Sequence, residues 1–375
     1  MKVVVAMDSF KGSLTAARAC DIVAGAIRST LPDAEVVVKP MADGGEGTAA
    51  ALMAAVGGQW IEREVMGPLP RMRVGAGFLH LPGGRTAVVE MATASGLQLL
   101  RREQLDPLRA TTYGTGELIR AASDAGVERI LLTVGGSATV DGGLGAATAL
   151  GWHFETAEGE ALPPGGAGLS QIERIVPPSR EIGASVEVLC DVDNPLCGEH
   201  GAAAVYGPQK GATPEMVEML ERGLNRLAEK VGSQLGRDIR DLPGAGAAGG
   251  LAAGAVAFMD ARLVSGIDAV MAQSRLREAL ADAGWVITGE GRFDEQSLRG
   301  KVVSGVTRLA REAGARVGLI AGQVLLPPDA YRMQGIEAAQ SCTTDDMELD
   351  YALANSEKLL EQAAERFARS RLLSA

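Results

Sequence analysis

The chain has 375 residues, 46% of them hydrophobic, and 36 Lys and Arg against 47 Asp and Glu leave a net charge of −11. Enough apolar material is present for a substantial core, and without a basic run to neutralise phosphates the composition argues against nucleic acid as a main partner. Four cysteines, Cys20, Cys190, Cys197 and Cys342, are too sparse for a disulfide framework and make no zinc-spaced pair, so they read as buried thiols of a reducing cytoplasm.

In chain order, short Val/Ile-rich runs are each followed by Gly, Ser or Asp. Val3–Met7 leads into Asp8–Ser13 and a helix on which Ala19, Ile22, Val23, Ala26 and Ile27 recur at helical spacing. Glu35–Lys39 leads into Met-Ala-Asp-Gly-Gly-Glu-Gly and an alanine-rich helix from Thr48. Trp60–Arg85 has hairpin texture, and Pro163–Pro178 reads as loop. Ala87–Glu90, Ile130–Val134, Val186–Cys190, Trp285–Thr288 and Val317–Ala321 complete the apolar runs, and Met347–Leu373 reads as one charged amphipathic helix. Continuous rather than alternating runs suit parallel strands covered on both faces. The expected fold is therefore α/β, with two domains. One is a parallel-sheet, flavodoxin/Rossmann-like domain made of residues 1–60 and 285–375, and the other is an α/β domain of residues 61–284 inserted in it. The N-terminal apolar run is too short for a signal peptide, and Leu242–Met259, uncharged but rich in Gly and Ala, makes a poor membrane span.

Several familiar nucleotide signatures are missing. Gly300-Lys301 has neither the upstream glycine nor the following Ser/Thr of a phosphate-binding P-loop, and the kinase signatures His-Arg-Asp and Asp-Phe-Gly do not occur. Gly244, Gly246 and Gly249 match a dinucleotide spacing but follow Asp-Ile-Arg-Asp-Leu-Pro instead of a strand, so close packing is the better reading. His80, His153 and His200 lack partner motifs, which disfavours a Ser-His-Asp triad.

What remains lies just after the presumed strands, where open α/β sheets bind ligands. Asp8, Ser9 and Lys11 could hold an anion and a hydroxyl, or merely cap a turn. Asp43, Gly44, Gly45 and Glu46 put two carboxylates on a glycine turn, suited to a cation or a sugar hydroxyl. The densest cluster, with Gly135, Gly136, Ser137, Thr139, Asp141, Gly142 and Gly143, has the composition of a phosphate-holding loop. Asp191 and Asp193 could supply a general base and a metal ligand, Lys210 a cation, and Glu290 a further acid. The inventory fits phosphoryl transfer, in which catalysis is mostly positioning and charge neutralisation.

Eight ordered segments, among them Asp8–Ala16, Met41–Thr48, Gly135–Gly143, Asp191–Gly198, Gly207–Ala212 and Thr288–Ser297, resemble the type-1 glycerate kinases. Met7, Val140 and Val303 depart from that pattern, where proline, asparagine and proline are common. The resemblance implies ATP-dependent phosphorylation of D-glycerate to 2-phosphoglycerate with Mg²⁺, in a cleft between two α/β domains. The 3-phosphate, another small hydroxy acid as acceptor, and a non-catalytic sugar-acid-binding protein remain alternatives. Joined to the residues, it implies Asp191 as base, helped by Lys11 and Asp193. Asp8, Ser9, Asp43, Gly44, Gly45, Glu46 and Lys210 would bind substrate. The Gly135–Gly143 loop and Glu290 would bind nucleotide, and Asp193 and Asp43 would bind metal. Small-molecule substrates, a cytoplasmic location, no membrane or nucleic-acid partner, and a homodimer as an admissible assembly complete the expectation.

Overall fold

A computed structural model describes residues 1–298, 301–344 and 346–373; Gly300 of the Gly300-Lys301 pair lies outside the described residues. In chain order, β1 (Lys2–Met7), α1 (Ala16–Thr30), β2 (Glu35–Val38) and α2 (Thr48–Val56) come first. Next are β3 (Gln59–Met66), β4 (Arg73–His80), β5 (Thr86–Glu90), α3 (Ala92–Ser95), α4 (Tyr113–Asp124), β6 (Arg129–Thr133) and α5 (Leu144–Ala149). The middle of the chain carries β7 (His153–Glu155), β8 (Arg174–Val176), β9 (Ser185–Leu189), α6 (Ala202–Tyr206), α7 (Pro214–Leu235), α8 (Ala247–Met259) and β10 (Arg262–Val264). Then follow α9 (Gly266–Gln273), α10 (Leu276–Leu280), β11 (Trp285–Gly289), β12 (Arg292–Phe293), α11 (Val302–Glu312), β13 (Arg316–Ala321) and β14 (Gln323–Val324). The last elements are α12 (Pro328–Met333), β15 (Ala338–Ser341), α13 (Leu349–Ala354) and α14 (Ser356–Phe367).

Two compact units result. Unit 1 comprises residues 1–43, 50–57 and 267–375, and unit 2 residues 44–49 and 58–266. The sheet of unit 1 has the order β15-β13-β11-β1-β2, with every pairing parallel. Counting only its own strands, this is the 2-1-3-4-5 order of doubly wound folds, whose strand order reverses between β1 and β11. Val3, Val5, Met7, Trp285, Ile287 and Ile320 pack with α1 and α14 in one core, where Trp285 meets Phe367 edge-on at 5.8 Å. Thr15 caps α1 by accepting from Arg18 N at 3.2 Å, which fixes where the first crossover begins. A charged amphipathic helix is indeed present at the C-terminal end. It is broken, however, into α13, α14 and a π turn over Ala368–Leu372 instead of running unbroken.

Unit 2 holds a six-stranded sheet of order β10-β9-β6-β5-β4-β3. Pairings from β10 to β5 are parallel, while β5, β4 and β3 pair antiparallel, so the hairpin texture of Trp60–Arg85 becomes the β3–β4 ribbon. All seven apolar runs of the sequence lie in parallel pairings of one sheet or the other. Among the described residues, no helix is long and apolar enough to cross a membrane.

Candidate functional site

In unit 1, the carboxyl ends of four strands open onto one pocket of about 650 Å³. Asp8 and Ser9 follow β1, Glu290 and Gly291 follow β11, Gly322 and Gln323 follow β13, and Cys342 and Thr343 follow β15. Where β11 and β13 end, the strands approach so closely that a side chain on Gly289 would bring its Cβ to 1.7 Å from the Ile320 carbonyl. Asp8 N donates to Gly289 O at 2.8 Å and Gly322 N to Glu290 O at 3.0 Å, so the acids stand on rigid backbone.

Lys11, Asp43, Arg292 and Lys301 also line this pocket. Burial, the neighbouring Asp43 carboxylate and, more weakly, Glu290 push the Asp8 carboxyl up to about 7, against the Ser9 N–H that donates to it at 2.6 Å and the Lys11 charge. Burial also raises Glu290, and its buried Oε1 has no hydrogen-bond partner among the described residues. Three acids crowded until one resists ionisation are hard oxygen donors short of positive charge, which fits Mg²⁺. No group of three or more His, Cys, Asp or Glu close enough to hold a metal occurs among the described residues. A partial protein shell is the usual arrangement for Mg²⁺, which takes one or two carboxylates and completes its shell with phosphates and water.

The glycine-rich loop after β6 belongs to unit 2, and its side chains face inward. Asp141 is fully buried; its Oδ2 accepts from Thr112 N at 2.8 Å, Thr112 Oγ1 at 2.9 Å and Gly145 N at 3.2 Å, and its Oδ1 from Gly143 N at 3.1 Å. Burial raises this carboxyl, and the four donors oppose the rise. Lys210 is 3% exposed and donates to Ser137 Oγ and to Thr139 O, each at 2.7 Å; burial depresses its ammonium to about 7. Asp141 and Lys210 therefore brace the loop from within. The parts left to face a ligand are the half-buried Gly135 and the exposed backbone of Gly136. A Cβ on Gly135 would lie 2.9 Å from Gly45 Cα, and one on Gly136 3.4 Å from Glu46 Oε2, so the two glycine turns sit side by side.

The loop is held from its other side by α8. At Ala248, Gly249 and Gly250 the backbone takes three successive left-handed conformations, with φ of 53°, 66° and 87°. Gly249 O accepts from Gly142 N at 3.1 Å, and a Cβ on Gly249 would come within 1.9 Å of Thr139 O. Gly246 and Gly249 thus serve backbone-on-backbone packing, and Gly244 packs against the Cys190 sulfur and the Val192 carbonyl.

Asp191 follows β9 by two residues and accepts from Gly266 N at 3.0 Å, while Asp193 is exposed on the same turn. Asn194 ties that turn down, donating to His200 O at 2.8 Å and accepting from Tyr206 OH at 2.7 Å. Unit 1 thus brings together Asp8, Ser9, Lys11, Asp43 and Glu290; unit 2 brings together Gly44, Gly45 and Glu46 with Gly135 and Gly136, and Lys210 with Ser137 and Thr139. Glu290, expected like the glycine-rich loop to bind nucleotide, belongs to unit 1, and the loop belongs to unit 2. Sequence reasoning missed Thr112, Lys301 and Glu90, a buried acid accepting from Ala49 N at 2.7 Å. An acid closing the apolar run Ala87–Glu90 was the available signal for the last of these.

The sequence model of the Glycerate kinase family matches residues 3–372. A glycerate kinase of Halalkalibacterium halodurans is 44% identical over 370 residues, covering 98% of this chain and 97% of that protein. The glycerate 2-kinase of Escherichia coli K12 is 42% identical over 356 residues, 94% of this chain and 93% of the relative. A crystal structure from Salmonella typhimurium LT2, described as a candidate glycerate kinase 2, superposes with a TM-score of 0.88 at 42% identity, covering 100% of this chain and 99% of that one.

Proposed function

Because the chain belongs to the glycerate kinase family and is a kinase, we propose that it transfers the terminal phosphoryl group of ATP directly to the 2-hydroxyl of D-glycerate, giving 2-phosphoglycerate. The observation that carries the reading is the reversal-point pocket of unit 1, where Asp8, Asp43 and Glu290 meet Lys11 and Lys301. Carboxylates with adjacent cations are what a polyphosphate and its metal ion require, and such transfer needs little covalent help from the protein.

Asp191 accepts the proton of the attacking hydroxyl. Its Oδ1 accepts from the Gly266 N–H, which orients the carboxylate for that role. Asp43 is the residue of this pocket that would hold Mg²⁺, and Asp193 of unit 2 is a separate candidate; the ion when bound would neutralise charge on the phosphates. Lys11 pairs with the transferring phosphoryl group, and Asp8, Ser9, Gly44, Gly45 and Glu46 orient glycerate. Backbone N–H groups at Gly135 and Gly136 meet phosphate oxygens, held still by Lys210 and Asp141 behind them. The cytoplasm is the compartment that suits four free thiols.

Glycerate-dependent ADP formation in a coupled assay tests the activity, and phosphorus NMR of the product tests the position. A single resonance from 2-phosphoglycerate is expected. The 3-phosphate as sole product would overturn the regiochemistry, and ADP release indifferent to glycerate would overturn the whole reading.

A further inference from the structure

The pocket of unit 1 extends beyond its charged end in a way that glycerate does not explain. Besides the charged residues near the strand ends, its lining includes Cys342, Gln323 and three leucines, Leu349, Leu353 and Leu359, which form its apolar arm. Leu349 and Leu353 stand one turn apart on one face of α13 and are 69% and 39% exposed, although both line the pocket. Scattered apolar side chains on a surface need no explanation, but several gathered around one cavity mark a place that something covers. A three-carbon acid is too small and too polar to use that arm. The cavity of about 650 Å³ is in the range of sites that enclose larger organic ligands, roughly 300–1,000 Å³.

We propose that this arm is the nucleoside end of the ATP site, with the purine ring seated on Leu349, Leu353 and Leu359. One ligand then accounts for both ends of the pocket. The planar base buries the leucines, and the phosphate chain reaches Lys11 and Lys301, which line the same pocket. Gln323, which also lines the pocket, brings an amide whose donor and acceptor can pair with the polar edge of the base. The placement also agrees with doubly wound sheets in general, which bind nucleotides beyond strand carboxyl ends at the reversal of strand order. This inference rests on the kinase reading above and adds which unit takes the base.

The test uses the full chain and two variants, Leu349→Asp and Leu353→Asp, whose exposed side chains leave the fold intact by thermal melting. A fluorescent N-methylanthraniloyl-ADP is titrated in the absence of glycerate, and KM values for ATP and glycerate are measured separately. Expected are a tenfold or greater loss of analogue affinity and a similar rise in KM for ATP, with KM for glycerate within about twofold. Unchanged analogue affinity and unchanged KM for ATP in both variants would overturn the placement. So would a variant that loses glycerate affinity and retains nucleotide affinity. A wild-type chain that binds the analogue but shows no glycerate-dependent turnover would instead refute the kinase reading and leave the pocket assignment standing.

Discussion

The ammonium of Lys210 donates to the hydroxyl of Ser137 at 2.7 Å, across 73 residues of sequence, in a region nearly closed to solvent. Its second bond, to Thr139 O, makes the lysine a strut of the glycine-rich loop. Removing it as Lys210→Met leaves a buried hydroxyl and a buried carbonyl short of a partner, at about 1–3 kcal/mol for each group left unpaired. Denaturant unfolding should show that loss, and turnover should fall at least tenfold as the loop slackens. The deficit depends on pH. Lys210 is depressed to about 7 from an ordinary 10.5, so its folded state favours the neutral amine. The wild type then has the full benefit above about 10.5 and loses it as pH falls towards 7. Wild type should exceed the variant by more at pH 9 than at pH 6, and a gap that widens on acidification would contradict the burial of this amine.

Asp8 gives the complementary case. With its carboxyl raised from 3.8 to about 7, ionisation weakens the folded state progressively across that window and by a constant amount above it. Asp8→Asn should therefore melt higher than wild type at pH 8, by roughly 2–4 °C for each kcal/mol recovered, and at nearly the same temperature at pH 4. Its turnover should drop even so. Mg²⁺ should raise the melting temperature of the wild type at pH 8 more than that of the variant, which calorimetry with and without the ion can resolve.

Asp191→Asn keeps an oxygen able to accept from Gly266 N and deletes the ability to take a proton. Turnover should fall by about 10²–10⁴, the usual worth of general base catalysis, with KM values and the melting temperature little changed. A variant within threefold of wild type would remove Asp191 from the chemistry.

Two glycine substitutions separate conformational strain from lack of space. Gly249→Ala meets both, since φ is +66° and the new carbon would lie 1.9 Å from Thr139 O. It should cost about 3 kcal/mol or more and disable the enzyme. Gly126→Ala meets only the first, with φ of +83° and nothing within 4 Å, and should cost about 1–2 kcal/mol with activity retained.

Much of this fold is legible in the sequence, because a buried parallel strand is an apolar run whichever sheet it joins. Val3–Met7 and Ile130–Val134 look alike for that reason, and they belong to different units. Loop positions after strands are equally legible, which is how Asp8, Asp43 and Glu290 stand out. The direction of a side chain within a loop is not. Lys210 and Asp141 have the composition of ligand-binding residues, and only the packing of α8 and the Thr112 turn shows that they face inward. The apolar arm of the unit 1 pocket was hidden for another reason. Leu349 and Leu353 have ordinary helical spacing, and periodicity does not distinguish a face turned to a core from one turned to a cavity.

Where α8 meets the loop after β6, main chain lies against main chain, through Gly249 and Thr139 on one side and Gly254 and Gly142 on the other. Such a joint has no side chains to exchange, so it offers mutation no graded adjustment: a change there either leaves the geometry alone or destroys it. Any drift of this scaffold towards a new acceptor must therefore come from the surrounding positions, such as Gln98 and Glu46 near the exposed Gly136, where side chains of different length can be tried without disturbing the seam. The glycine-rich joint has no room for side chains, and a search for altered substrate range should randomise its rim and leave its centre untouched.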